Sequence, residues 1–377
     1  MKVVIAIDSF KGCLSSHEAG QAVKEGFLET DSSINALVYP VADGGEGTVE
    51  ALASLNGSTL VSAKARDPLG REIECKYAVL ADKTAVIEMS AAAGLPLLKK
   101  EERNPLYTST YGVGQLILDA ISRGCRELII GIGGSSTNDG GVGMLSALGV
   151  KLYDSRGEEI PWGAIGLKDL STIDVSGLCP QIKECKISVA CDVKNPLCGK
   201  NGASRIYGPQ KGADEKTVLL LDRWLENYGR LTKELSPKAD VNKEGAGAAG
   251  GLGFAFLAYL NGELRPGAQL ILDKVGLEAD IRDCDLVVTG EGRLDGQSIN
   301  GKTPVGVSII AKKYNKYVIA LAGSLGDDLR GLEPYIDRCY GINGQAFDLE
   351  EALKPENARA NLKNTIKKAL SELRKEA

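Results

Sequence analysis

The sequence predicts an α/β protein of two domains, one assembled from both chain ends and one inserted between them. Three observations predict it. Short β-branched runs alternate with amphipathic stretches of helical period, the pattern of parallel strands joined by helices. That texture holds near both termini and changes in the middle of the chain, where alternating runs and tight turns indicate mixed pairing. The length, 377 residues, suits two cores better than one. The expected boundaries are 1–65 plus 285–377 for the discontinuous domain and 66–284 for the insert.

Val3 to Ile7 reads as a buried parallel strand. Ser15 or Ser16 caps the next helix, which presents Ala19, Ala22, Val23 and Phe27 on one face. Ala36 to Val41 is a second strand, and a helix runs on to Leu55. Alternating runs follow at 60–64, 72–80 and 85–89, the first two separated by the turn Asp67-Pro68-Leu69-Gly70. A helix at 113–123, a strand at 127–130, the longest amphipathic helix at 214–235, and helices at 250–260 and 268–280 complete the insert. The first texture returns with a strand at 285–289, a helix at 305–313, a strand at 317–322 and a charged helix at 356–375.

Composition narrows the function. Hydrophobic residues are 43% and charged residues 25%, an ordinary globular balance that excludes a disordered chain. No apolar run reaches the ~20 residues of a membrane span, and Asp8 interrupts the first one too early for a signal peptide, so the expectation is cytoplasmic. A net charge of −5 and 5% aromatics argue against nucleic-acid binding. Nine cysteines without a CxxC pair fit reduced thiols better than disulfides or a zinc site. The one histidine, His17, falls in a helix's first turn, away from any evident triad partner.

Glycine is the unusual quantity: 46 residues, against a usual share of about 7%. The glycines cluster at strand ends beside hydroxyls, amides and carboxylates: 43–47, 131–141 and 208–212. Amides at such turns bind phosphate or carboxylate, nearby carboxylates hold Mg²⁺, and lysines supply point charges. Phosphoryl transfer needs that inventory. Two pattern matches are weaker. Gly245 to Gly250 fits GxGxxG but follows a loop-like segment, which favours tight packing. Gly296 to Thr303 fits a P-loop pattern, but an acidic stretch stands between it and its strand.

The ordered motifs carry a resemblance. They are Asp8-Ser-Phe-Lys11-Gly12, Ala42-Asp43-Gly-Gly-Glu46-Gly-Thr48, Asp67-Pro-Leu-Gly-Arg71, Ile132-Gly-Gly-Ser-Ser-Thr-Asn138-Asp139-Gly-Gly141 and Cys191-Asp192-Val-Lys-Asn195. Gly208-Pro-Gln-Lys211-Gly, Gly245 to Gly251, and Thr289-Gly-Glu291-Gly-Arg293-Leu-Asp295 with Gly301-Lys302 complete the set. In this order the chain resembles bacterial type I glycerate kinases along essentially its whole length. The resemblance implies a flavodoxin-like or Rossmann-like domain from both chain ends, an inserted mixed α/β domain and an active site in the cleft between them. It implies ATP and Mg²⁺ as co-substrates and D-glycerate as acceptor, with 2-phosphoglycerate the expected product and 3-phosphoglycerate the alternative. A non-catalytic sensor of sugar acids or nucleotides is the competing class.

Asp192, with Asp8 next to it in preference, is the expected base or hydroxyl orienter. Lys11 and Lys211 are the expected cations, with Lys302 at the phosphates, and Arg293 suits bidentate anion recognition. Ser135, Ser136, Thr137 and Asn138, with the amides of Gly44 and Gly45, are the expected substrate or phosphate donors. Asp43, Glu46, Glu291 and Asp295 are the metal candidates.

Overall fold

The computed structural model describes residues 1–296, 298–344 and 348–376. Its strands are β1 (Lys2–Ile7), β2 (Asn35–Val38), β3 (Thr59–Arg66), β4 (Glu72–Val79), β5 (Thr84–Glu88), β6 (Glu127–Gly131), β7 (Lys151–Tyr153), β8 (Thr172–Asp174), β9 (Lys186–Ala190), β10 (Glu263–Arg265), β11 (Leu286–Leu294), β12 (Tyr317–Leu325) and β13 (Arg338–Gly341). They divide between two compact units: residues 1–43, 50–55 and 266–377 form the first, and 44–49 and 56–265 the second.

The first unit holds a parallel sheet ordered β13-β12-β11-β1-β2. Counted along the chain this is 2-1-3-4-5, the order of flavodoxin-type sheets, with its switch point between β1 and β11. The central strand β1 is apolar on both faces because helices cover both. Val3, Ile5 and Ile7 pack toward the helices Ser16–Thr30 and Pro355–Glu376. Val4 and Ala6 pack toward Thr303–Lys313 and Gly267–Val275. The Ser16–Thr30 helix starts on a capping box: Ser15 Oγ accepts from Glu18 N, and Glu18 accepts from Ser15 N at 3.0 Å. His17 is exposed in its first turn.

The second unit holds a six-stranded mixed sheet, β10-β9-β6-β5-β4-β3. Strands β5, β6, β9 and β10 run parallel, and β3 and β4 are antiparallel additions. The buried Asp67 carboxylate fixes the turn between β3 and β4 by accepting from Leu69 N and Arg71 N, both at 2.9 Å. β7 and β8 form a small separate ribbon.

Several boundaries differ from the sequence expectation. The unit borders lie at 55/56 and 265/266, because β3 pairs with β4 along its whole length and Gly267–Val275 packs on Thr303–Lys313. The second strand stops at Val38, two residues before Pro40, which has no N–H to donate. The 268–280 helix divides at Gly276, whose φ of 72° ends the first piece. The expected amphipathic helix at 214–235 is Glu215–Leu235, of 21 residues, and the charged terminal helix is Pro355–Glu376, of 22. The strand expected at 285–289 continues through Leu294, pairing with β12 beyond Gly290, so most of the acidic stretch before the P-loop-like pattern is strand. All nine cysteines are free. No helix among the described residues is long and apolar enough to cross a membrane.

Candidate active site

Parallel strands leave their loops at one edge, and the candidate residues collect there in both units. In the first unit, Asp8 follows β1, Asp43 lies beyond β2, and Glu291 stands near the end of β11. These three, with Lys11, Arg293 and Lys302, line one cavity of about 370 Å³.

Asp8 is the most perturbed carboxyl of the group. It is buried, and burial followed by repulsion from Asp43 pushes it up to about 7. Its oxygens are held in place: Ser9 N donates to Oδ1 at 2.7 Å, and Thr303 Oγ1 donates to Oδ2 at 2.8 Å. Thr303 is fully buried and opens its helix. Glu291 is also buried, and burial raises it. Ser298 Oγ donates to its Oε1, and Lys302 Nζ lies 3.4 Å from its Oε2. Residues 298–303 thus supply a hydroxyl to each buried carboxyl and an ammonium to one. Arg293 is exposed and pairs with Asp295 at 3.2 Å; Lys11 is exposed. Of the P-loop-like pattern, position 297 lies outside the described residues; Thr303 ends it with its hydroxyl on Asp8.

The second unit holds the other candidates. Gly131 and Gly44 meet so closely that a Cβ on Gly131 would sit 2.2 Å from Gly44 O, which fixes the 44–49 loop beside β6. Glu88, at the end of β5, accepts from Val49 N at 2.8 Å and from the Gly47 and Thr48 amides. The anion on those amides is therefore the chain's own. Burial raises Glu88 and those bonds oppose it. Glu46 is exposed, and Gly44 is buried with Gly45 half-buried.

The long glycine loop is likewise filled from within. Asp139, fully buried, accepts from Thr110 N at 2.9 Å, Thr110 Oγ1 at 2.8 Å, Gly141 N at 3.1 Å and Gly143 N at 3.2 Å. Burial still pushes its carboxyl up against those four donors. Lys211 is only 1% exposed; its Nζ donates to Ser135 Oγ at 2.8 Å and Thr137 O at 2.6 Å. Burial lowers it to about 7, opposed by Asp139. This lysine braces the 135–137 loop and is no exposed anion receptor. Ser136 Oγ donates to Ala93 O, and Asn138 Nδ2 to Ser204 Oγ, both at 2.9 Å. Thr137 Oγ1 and Asn138 Oδ1 are buried without a hydrogen-bond partner. Gly250, in the GxGxxG match, packs so closely that a Cβ would sit 2.1 Å from Thr137 O. Asp192 is exposed just beyond β9.

The structure thus divides the predicted residues. Asp8, Lys11, Asp43, Glu291, Arg293, Asp295 and Lys302 lie in the first unit; Gly44, Gly45, Glu46, Ser135, Ser136, Thr137, Asn138, Asp192 and Lys211 lie in the second. Sequence reasoning missed Thr303, Ser298, Glu88 and Thr110. Thr303 alone carried a signal, as the hydroxyl directly after Gly301-Lys302 at a helix start.

No group of three or more His, Cys, Asp or Glu side chains among the described residues is arranged to hold a metal ion. Of the four metal candidates, Glu46 is an exposed residue of the second unit, and Asp295 is paired with Arg293. Asp43 and Glu291 share the cavity. Mg²⁺ requires only one or two carboxylates when phosphate oxygens and water complete its shell, and this pair fits that demand.

Comparison with known proteins adds independent findings. A model of the glycerate kinase family matches residues 3–374. The chain is 48% identical to a glycerate 2-kinase of Escherichia coli K12 over 356 residues, covering 94% of this chain and 93% of the relative. It is 45% identical to a glycerate kinase of Halalkalibacterium halodurans, covering 93% of each. A crystal structure of a glycerate kinase 2 from Salmonella typhimurium LT2 superposes with a TM-score of 0.91 at 44% identity, covering 99% of this chain and 98% of that one.

Proposed function

The chain belongs to the glycerate kinase family, and from that premise we propose how its own residues carry the reaction. It is an ATP-dependent kinase that phosphorylates D-glycerate, and the C2 hydroxyl is the acceptor, as in the relative named for 2-kinase activity. The single observation that carries the residue assignment is the buried Asp8, held by Ser9 N and Thr303 Oγ1 in a cavity that also presents Lys302 and Lys11.

Asp8 serves as the base. A carboxyl titrating near 7 accepts a proton from an alcohol better than an ordinary one, and both its oxygens are oriented. Lys302, Lys11 and Arg293 balance the phosphates' charge. Asp43 and Glu291 would hold Mg²⁺, which, when bound, neutralises charge on the transferring phosphoryl group. The sheet order supports reading the first unit as a flavodoxin-like domain of both chain ends. Asp192, exposed on the second unit, is left for acceptor binding.

The test is ADP release with D-glycerate, ATP and Mg²⁺, read through enolase without phosphoglycerate mutase. Signal through enolase is the expected result, because enolase accepts 2-phosphoglycerate directly. ADP release without it moves the phosphate to C3, and no glycerate-dependent ADP release sinks the kinase assignment.

A further inference from the structure

The cavity that holds Asp8 has a second end of different chemistry. In the sheet, β12 and then β13 lie beyond β11 on the side away from β1. The carboxylates and Lys302 gather at the β1 and β11 ends of this edge. Across β12 and β13 the lining becomes mostly apolar: beside Ser324 and Asn343, Ile342 leaves β13, and Leu349, Leu353 and Ala358 follow it. Phe10 and Cys13 reach the same end from the loop after β1. A Cβ on Gly323 would sit 3.5 Å from Phe10 Cδ1, and Cys13 Sγ stands 3.9 Å from Ala352 O. Leu349 is 62% exposed and Leu353 40%, so two large apolar side chains stand uncovered at the rim.

D-glycerate has no use for such a wall. Each of its carbons carries oxygen, and moving those oxygens against apolar side chains without partners is unfavourable. A cavity of about 370 Å³ also lies in the range that holds far larger ligands than a three-carbon acid. A nucleoside triphosphate has the matching asymmetry: a charged tail and a flat, uncharged base whose faces pack on apolar side chains while its polar edge can meet Ser324 and Asn343. We propose that the apolar end, formed by Phe10, Cys13, Ile342, Leu349, Leu353 and Ala358, binds the purine base of ATP, with the phosphates directed toward Lys302 and Lys11. This rests on the kinase reading above. It assigns the nucleotide to the first unit and gives the exposed leucines an occupant.

The test uses the full chain and its L349D and L353D variants, both changed at exposed positions. The probe is MANT-ADP, followed by fluorescence, alongside steady-state kinetics and inhibition by inorganic tripolyphosphate. Each variant should weaken MANT-ADP binding and raise KM for ATP by about tenfold, the loss of roughly one good apolar contact. KM for glycerate should stay put. Tripolyphosphate, which has no base, should inhibit wild type and variants equally. Unchanged MANT-ADP affinity overturns the proposal, and so does a rise in KM for glycerate instead of ATP, which would make this end the acceptor's. An independent measurement is alkylation by iodoacetamide, resolved by peptide mass spectrometry. ADP should slow modification of Cys13 and leave Cys179, in the other unit, unaffected; an unprotected Cys13 overturns the site. If wild type shows no glycerate-dependent turnover yet the variants lose MANT-ADP, the kinase reading fails and the base site stands. If L353D turns over normally and binds nucleotide unimpaired, the base site fails and the kinase reading stands.

Discussion

Two buried carboxylates behave oppositely under substitution. Asp8 is held by only two donors and repelled by Asp43, so its charge is tolerated at a cost. A carboxyl whose native value is about 7, against 3.8 ordinarily, favours folding while protonated, and that contribution is lost as pH rises through about 7. Asp8→Asn should therefore raise the melting temperature of the ligand-free protein at pH 8 by about 2–4 °C, for a gain of roughly 1 kcal/mol. The gain should vanish near pH 4. The same variant should lose ~10²–10⁴ in kcat if Asp8 is the base. Thermal melts at the two pH values and a rate assay check both halves. Asp139 is the reverse case. Four donors converge on it and it faces the field of Lys211. Asp139→Ala strands those groups in the interior and should cost about 3–5 kcal/mol in urea unfolding. Asp139 stands in plain view within the glycine loop, but nothing in a linear string says that an acid will fill its own loop's amides. Thr110 and Glu88 are distant in sequence from the loops they secure, so their roles emerge only from the folded register.

At the level of the element, the strands and the first helix are the most legible features. Val3 to Ile7 is apolar without interruption, which only a strand covered on both faces requires, and the five residues divide between two cores as that reading demands. Ser15 and Glu18 announce a capping box by spacing alone. Ser15→Ala should remove about 1 kcal/mol of stability and leave KM values unchanged, as measured by chemical denaturation and kinetics. The end of β11 escapes sequence reading because glycine and charge signal a loop in isolation. Pairing with β12 through Arg293 and Leu294 overrides that local preference. The apolar wall behind the carboxylates is illegible for a related reason. Its residues come from the loop after β1 and from the far end of the chain, and no period connects them.

On the scale of the whole molecule, a change of texture reveals the two-part organisation, and packing that texture does not encode displaces its borders. The second unit has a continuous core of its own, from Ala63 to Leu260. A fragment of residues 44–265, which retains the Glu88 contact with Val49, should unfold in one cooperative urea transition. A broad, non-cooperative loss of signal would contradict its independence. The first unit has no such fragment, since its central strands β1 and β11 are separated by the entire second unit.

That separation sets a schedule for biosynthesis. β1 leaves the ribosome well before the strand that pairs with it over Val3–Ile7, which begins only at Leu286. At about 5–20 residues per second, roughly a quarter of a minute to a full minute passes before that partner is made. Through that interval one side of an uninterrupted apolar strand waits without its neighbour, a template for wrong pairing. The nascent chain therefore completes the later-encoded core before the earlier-encoded one, and its window of exposure to chaperones is fixed by the length of the insert.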